Sequence, residues 1–338
     1  MLLMVRRWGS IVSELPAARA WLITDGKAGH ETQAQGVAEA LGVDYVWHRV
    51  APKGLARLLS PWGPAPADFI CAPPWPAIAI GVGRTAMPAL RRLHRMAGPA
   101  TFTVALQDPR TSARIADLIW VPEHDRRRGP NVITTLTPPH RFTPAKLAMI
   151  AAEPDAAIDA LPVPRVMVAV GGSSKVWKFT GADIQRLLAA IASVAAAGAS
   201  LMITTSRRTP RDLVERLGSE VAGGQHILYT GEGDNPYARF LAKADAIIVT
   251  ADSVSMTGEA VATGRPVYVF RPSGGSEKFV RFHDALEACG ATRRLEAAAR
   301  LDLDWGHPPI LAAETIAQAI KARIRNRSRY LAGQMPAN

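Results

Sequence analysis

The sequence predicts an α/β protein made of two facing, doubly wound parallel-sheet domains, and three observations predict it. The first is a unit that recurs along the chain: a short apolar run, a loop of glycine or polar residues, a helix, and another apolar run. The second is the stretch where that unit is most complete. Ala246 to Thr250 is a β-branched run of the kind that parallel sheets bury on both faces. It stops at Ala251-Asp252-Ser253-Val254-Ser255-Met256, and a helix is expected from Thr257 to Thr263. Gly264 suits a left-handed helix end, Pro266 prevents continuation, and Val267 to Phe270 forms the next strand. The third observation is length, because 338 residues exceed one ordinary hydrophobic core.

Taken from the start, Ala20 to Thr24 reads as the first strand and runs into Asp25-Gly26-Lys27-Ala28-Gly29-His30. A helix through Leu41 and a strand from Tyr45 to Val50 follow. The glycines allow a tight turn and close approach of a ligand, and a neutral His30 at a helix start can act as a general base. The alternative is a surface histidine beside a structural turn. Further strands are expected at 77–80, 101–106 and 118–121, emptying into Gly81 to Thr85, into Gln107-Asp108-Pro109-Arg110 and into Pro122-Glu123-His124-Asp125. The Ala- and Pro-rich segment from Thr143 to Arg165, with Leu161-Pro162-Val163-Pro164, marks a linker. The domains are therefore placed at 1–155 and 156–310, with a basic helix at 311–338 expected to pack back on the first domain.

The second domain opens with the strand Val166 to Val170, which empties into Gly171-Gly172-Ser173-Ser174. A helix over 183–197 and the strand Leu201 to Thr205 lead to Ser206-Arg207-Arg208-Thr209-Pro210, where Thr209 is expected to cap a helix with Pro210 in its first turn. Arginines beside free N–H groups at a sheet edge suit phosphate, although plain solvated arginines would look the same. After a strand at 226–229, Asn235-Pro236-Tyr237 introduces a helix over 237–243. In the 246–270 unit, Ser253, Ser255 and Met256 can offer hydroxyls and amides to an anion while Glu259 accepts from sugar hydroxyls; the alternative is that Asp252 and Ser253 are only caps.

Composition narrows the partners. Hydrophobic content of 48% with 20% charge is globular, and no uninterrupted apolar run is long enough to span a bilayer. The first twenty residues carry Arg6 and Arg7 without a following apolar segment, so a secretory signal is not expected. Two distant cysteines, Cys71 and Cys289, fit a reducing cytoplasm, and no metal-ligand spacing is present. A net charge of +11, concentrated at Arg91-Arg92-Arg95, Arg126 to Arg128, Arg207-Arg208-Arg211 and Lys321 to Arg329, suits phosphorylated small molecules and anionic membrane surfaces. Nucleic acid is not expected, since aromatic residues make up only 6% and do not interleave with the arginines.

The motifs DGKAGHETQ at 25–33, QDPR at 107–110, PEHD at 122–125, TTSRRTP at 204–210, NPY at 235–237 and VTADSVSMTGEAVATGRPVYVF at 249–270 resemble the elongated-mitochondria fission-protein family. At one remove the chain is similar to glycosyltransferases with two Rossmann-like domains, the GT-B fold. That similarity implies a general base at His30 in the loop holding Gly26 and Gly29, and a nucleotide diphosphate at Gly172, Ser173, Ser253, Met256 and Glu259. Asp25-Gly26-Lys27 departs from the purely glycine-rich loop of those enzymes.

Two functions follow as expectations. One is a metal-independent glycosyltransferase, needing no resident cofactor, that takes a nucleotide-diphosphate sugar as co-substrate and passes it to a lipid-linked or membrane acceptor. Its candidate site is His30 as base, with Asp25, Gly26, Lys27, Gly29, Gln107, Asp108, Gly171, Gly172, Ser173, Ser206, Arg207, Arg208, Asn235, Tyr237, Asp252, Ser253, Ser255, Met256 and Glu259 binding substrate. The other is a non-catalytic adaptor, cytoplasmic and peripheral to a membrane, that recruits a protein partner, as the plant members of the resembling family do.

Overall fold

The structure is a computed structural model and describes residues 19–52, 54–296 and 301–333. The N-terminal stretch with Arg6 and Arg7, read above for a secretory signal, lies outside the described residues. The chain divides into two compact units, one from the N-terminal part to Arg141 together with Leu311 onward, the other from Phe142 to Ile310.

The first unit carries β1 (Arg19–Thr24), α1 (Ala28–Leu41), β2 (Asp44–Arg49), α2 (Gly54–Leu59), β3 (Ile78–Val82), α3 (Met87–Ala97), β4 (Phe102–Leu106), β5 (Leu118–Pro122) and β6 (Val132–Thr135). The second contains α4 (Pro144–Ala152), α5 (Ala156–Asp159), β7 (Arg165–Val170), β8 (Trp177–Lys178), α6 (Gly181–Ala196), β9 (Ser200–Thr205), α7 (Arg211–Glu220), β10 (Ile227–Tyr229) and α8 (Tyr237–Lys243). It continues with β11 (Ala246–Thr250), α9 (Val254–Val261), β12 (Val267–Phe270), β13 (Ser273–Gly274), α10 (Glu277–Ala288) and β14 (Arg293–Arg294). Then α11 (Ala312–Gly333) returns to the first unit.

Each unit is built on a six-stranded parallel sheet, in the order β2-β1-β3-β4-β5-β6 and β10-β9-β7-β11-β12-β14. Strands that must be covered on both faces need apolar residues at consecutive positions, and β3, β4 and β11 are buried at every residue. In the first unit Leu22, Ile78, Val104 and Trp120 pack under α1 and α11, through Val37, Leu41, Ile316, Ile320 and Ile324. Ile23, Ala79 and Ile119 point the other way, under Met87, Leu90 and Leu93 of α3. Helices on both faces of one parallel sheet make this a doubly wound, Rossmann-like layer. In the second unit α6 and α7 cover Val168, Ile203 and Ile248 with Leu187, Ile191, Leu213 and Leu217.

Strand order locates the places where a ligand can sit. Consecutive connections run to opposite sides of the sheet at β1/β3 in the first unit and at β7/β11 in the second, and the diverging loops leave a crevice beyond the strand ends.

Three sequence readings change in detail. Residues 142–155, assigned by sequence to the first domain, group with the second unit, where α4 packs against α8. The helix after β11 begins at Val254 rather than Thr257, because the Ser253 hydroxyl accepts from the Met256 N–H at 3.3 Å and so caps an earlier turn. Thr209 does not cap α7, whose N-cap is Pro210; its hydroxyl donates instead to the Gly171 carbonyl at 2.6 Å.

Candidate functional site

At the first switch point the loop after β1 folds back on itself. Gly26 turns the chain with φ +78°, a conformation costly for any residue with a Cβ, and its N–H donates to Thr24 Oγ1 at 3.2 Å. The turn brings the Asp25 carboxylate 2.7 Å from Nδ1 of His30, in the first turn of α1. Lys27 also pairs with Asp25 through its ammonium group. Burial pushes the Asp25 carboxyl up, but the hydrogen bonds from Lys27 and His30 more than offset this, and its pKa falls below the usual value.

An ionised carboxylate cannot donate, so the proton in the His30–Asp25 bond belongs to Nδ1. The neutral imidazole therefore carries its lone pair on Nε2, which has no hydrogen-bond partner among the described residues. The ring is largely enclosed, with the side chain 19% exposed. It lies against Gly83, the residue following β3: a Cβ there would stand 2.5 Å from the imidazole, and Gly83 also has φ +79°. One helical turn on from His30, the Gln33 side-chain carbonyl accepts from the Gln107 amide at 3.0 Å. Gln107 has φ +75°, a strained conformation for a residue with a side chain, and it directly follows β4 at the same sheet edge. Asp108, partly exposed, accepts from the Arg110 N–H at 2.8 Å on its own loop and from Arg127 Nε at 2.7 Å on the loop after β5. Gly29 is exposed and has open space where a Cβ would go.

The second switch point is knitted shut by its own polar groups. Asp252, with a fully buried side chain, accepts from the Gly172 N–H at 2.9 Å, from the Thr250 hydroxyl at 2.7 Å and from Arg208 at 3.0 Å. The Gly171 N–H donates to Thr250 Oγ1 at 2.7 Å. Burial pushes the Asp252 carboxyl up, and the three donors only partly counter it. Both glycines are required by space: a Cβ on Gly171 would enter the Asp252 carboxylate, and one on Gly172 would enter the Arg208 carbonyl. His283 of α10 lies 2.8 Å from the Ala251 carbonyl and anchors the loop from behind.

Around this knot, Ser173 accepts from the Phe179 N–H at 3.2 Å and Ser206 from the Arg208 N–H at 3.2 Å, both closing local turns. Arg207 is exposed and makes no hydrogen bond or ion pair among the described residues. Asn235 accepts from the Tyr237 N–H at 3.0 Å and starts α8. The Tyr237 hydroxyl donates to Glu259 Oε2 at 2.6 Å, which fixes that buried carboxylate on α9. Burial and the Glu259 charge push the Tyr237 phenol well above its ordinary pKa, so it remains a donor. Ser255 is exposed and Met256 half-buried at the start of α9.

The predicted residues thus form two groups. Asp25, Gly26, Lys27 and His30 meet at β1/β3 with Gly83 and Gln33, which sequence reasoning missed; Gln33 was signalled by its position three residues after His30, on the same helix face. Gly171, Gly172, Arg208 and Asp252 meet at β7/β11. No cluster able to hold a metal ion occurs among the described residues, and no described helix is long and apolar enough to cross a membrane.

Two parallel sheets with these strand orders define a protein with two Rossmann-like domains, the fold of the GT-B glycosyltransferases. Solved structures agree. The UDP-GlcNAc 2-epimerase of Methanocaldococcus jannaschii is 11% identical, with 90% of this chain and 99% of that one covered at a TM-score of 0.54. MnaA of S. aureus, solved with UDP, is 10% identical over 95% and 98% of the two chains with a TM-score of 0.52. The spinosyn forosaminyltransferase SpnP is 14% identical over 93% and 95%, with a TM-score of 0.51.

Residues 28–324 match the family described as Mitochondrial fission ELM1, and the chain belongs to that family. It is 28% identical to the mitochondrial fission protein ELM1 of Arabidopsis thaliana over 75% of this chain and 65% of that protein. It is 29% identical to the uncharacterized protein RP120 of Rickettsia prowazekii over 47% of this chain and 46% of that one. The matches therefore span less than two-thirds of the length of these relatives.

Proposed function

We propose that the chain is a glycosyltransferase that uses a nucleotide-diphosphate sugar without a metal ion. The observation that carries this reading is the Asp25–His30 pair, whose geometry leaves a lone pair on Nε2 at the crevice of the first sheet. In the proposed step the acceptor hydroxyl gives its proton to His30 Nε2 while its oxygen bonds to the anomeric carbon of the sugar. The bond from that carbon to the diphosphate oxygen breaks, and the nucleoside diphosphate departs with the electron pair. On the second unit, Glu259 would accept from the ribose hydroxyls, and Arg207 with the amides at the start of α9 would meet the diphosphate charge. Members of the same fold solved with UDP and with UDP-GlcNAc support this ligand class.

The test is calorimetry with UDP-, GDP- and CDP-sugars, followed by product assay with lipid and sugar acceptors. Binding of one class, weakened at least tenfold in Glu259→Ala and Arg207→Ala and retained in His30→Ala, supports the reading. If no nucleotide sugar binds at any concentration up to millimolar, the reading is lost.

A second reading, a non-catalytic adaptor, is favoured by one specific observation: Asp252, Ser253, Ser206, Thr209 and Asp108 all direct their side chains into structural hydrogen bonds. Under that reading a captured partner survives the combined His30→Ala and Glu259→Ala substitutions.

A further inference from the structure

We infer that the first unit carries a docking surface for an anionic lipid bilayer, formed by α2, the loop after it and α3. The inference does not rest on the sugar-transfer reading. Its apolar part is Leu58, Trp62 and Met96, exposed to 72%, 64% and 52%, with Leu59 half-exposed beside them. Folded proteins leave scattered single apolar residues in water, but four large ones from two adjoining segments make a patch. Its charged part is Arg91, Arg92 and Arg95, which line a pocket of about 540 Å³ with Pro64, Ala65, Pro88 and Met96.

The two parts are physically joined. Arg91 donates to the carbonyls of Pro61 at 3.0 Å and Trp62 at 2.9 Å, and also to that of Gly63, so the loop bearing Trp62 is tied to α3. No carboxylate pairs with any of the three arginines among the described residues. Burial and the neighbouring Arg95 charge both lower the pKa of Arg91, so the cations are crowded as well as uncompensated.

Unbalanced guanidinium groups beside exposed Trp and Leu match the chemistry of a membrane interface. Phosphate headgroups neutralise the arginines, and the indole and leucine side chains enter the boundary between headgroups and acyl chains. A soluble phosphate would answer the charge but leave Leu58 and Trp62 in water. A second copy of the chain would bring the same positive charge against this one.

Vesicle co-sedimentation of the full chain tests the assignment, using phosphatidylcholine alone and phosphatidylcholine mixed with phosphatidylglycerol. Binding to the mixed vesicles is expected, with little to the neutral ones. Arg92→Gln with Arg95→Gln should weaken it about 25-fold, about fivefold for each arginine. Leu58→Ser with Trp62→Ser should weaken it about tenfold or more, while Arg211→Gln with Arg216→Gln, on the second unit, changes it less than twofold. Brominated acyl chains should quench tryptophan fluorescence in the wild type and lose most of that effect in Trp62→Phe. Equal loss in the Arg211/Arg216 control, no loss in either patch variant, or full competition by millimolar inorganic phosphate would overturn the assignment. So would a dimer that Trp62→Ser dissolves and vesicles do not displace.

Discussion

The two switch points of this molecule stand at equivalent places in two similar sheets, yet they use their carboxylates in opposite ways. Asp25 is held at the rim by a lysine and a histidine, and its effect is to set the tautomer of His30. Asp252 is sunk beneath the Gly171-Gly172 loop and serves to hold three chain segments together. The difference teaches that a carboxylate at a sheet edge is not by itself a ligand-binding group. What its donors belong to decides: a lysine and a histidine bordering a crevice in one case, and in the other a backbone amide, a buried hydroxyl and the guanidinium of a neighbouring loop.

The strongest way to break the comparison is at His30. On the proposed function, His30→Ala lowers single-turnover transfer by about 100- to 10,000-fold while nucleotide affinity stays within twofold. An unchanged rate would reduce the first switch point to a structural turn like the second.

Stability gives the next contrast. Asp252→Ala leaves the Gly172 amide, the Thr250 hydroxyl and Arg208 without their acceptor and should cost about 3 kcal/mol in urea unfolding. Asp25→Ala should cost less than about 1 kcal/mol, as for pairs near the surface. Similar losses from both would remove the distinction.

A smaller effect is expected at Gly83. A Cβ there meets the imidazole and must also tolerate φ +79°, so Gly83→Ala should cost about 1–3 kcal/mol and displace His30 from Asp25. Loss of the downfield Nδ1 proton resonance of His30 in nitrogen-edited NMR would report that displacement.

The smallest expected effect is the sharpest in sign. The Asp25 pKa is below the model-peptide 3.8, so its contribution to stability is present above pH 3.8 and is lost as pH falls through its folded value. The Asp252 pKa is raised above 3.8, so its contribution is present below pH 3.8 and is lost as pH rises through its folded value. Carboxyl carbon NMR titration should show the two midpoints on opposite sides of 3.8.

The sheets were legible in the sequence because parallel strands buried on both faces must be written as unbroken apolar runs, as at Ala246 to Thr250 and at 77–80, although β3 runs on through Gly81 and Val82, which the sequence reading gave to the following loop. Short edge strands such as Val132–Thr135 were missed, since four residues, three of them half-buried, leave little periodicity to read. The start of α9 was misplaced because Val254 and Ser255 have weak helix propensity, which the Ser253 cap overrides. Within the candidate site, the sequence marked the loops but could not apportion the work inside them. Arg207 and Arg208 are chemically identical neighbours, and only the fold makes Arg208 a strut and leaves Arg207 in solvent. Likewise Asp25 looked like a departure from a glycine-rich loop until the turn at Gly26 placed it against His30.

The return of α11 to the first unit sets an order of events during synthesis. Ile316, Ile320 and Ile324 complete the apolar layer over Leu22, Ile78 and Trp120, yet they leave the ribosome only after the whole second unit has been made. The earliest sheet to be translated is thus the later of the two to close, and until then it keeps a greasy furrow along α1 that chaperones, or neighbouring nascent chains, can reach.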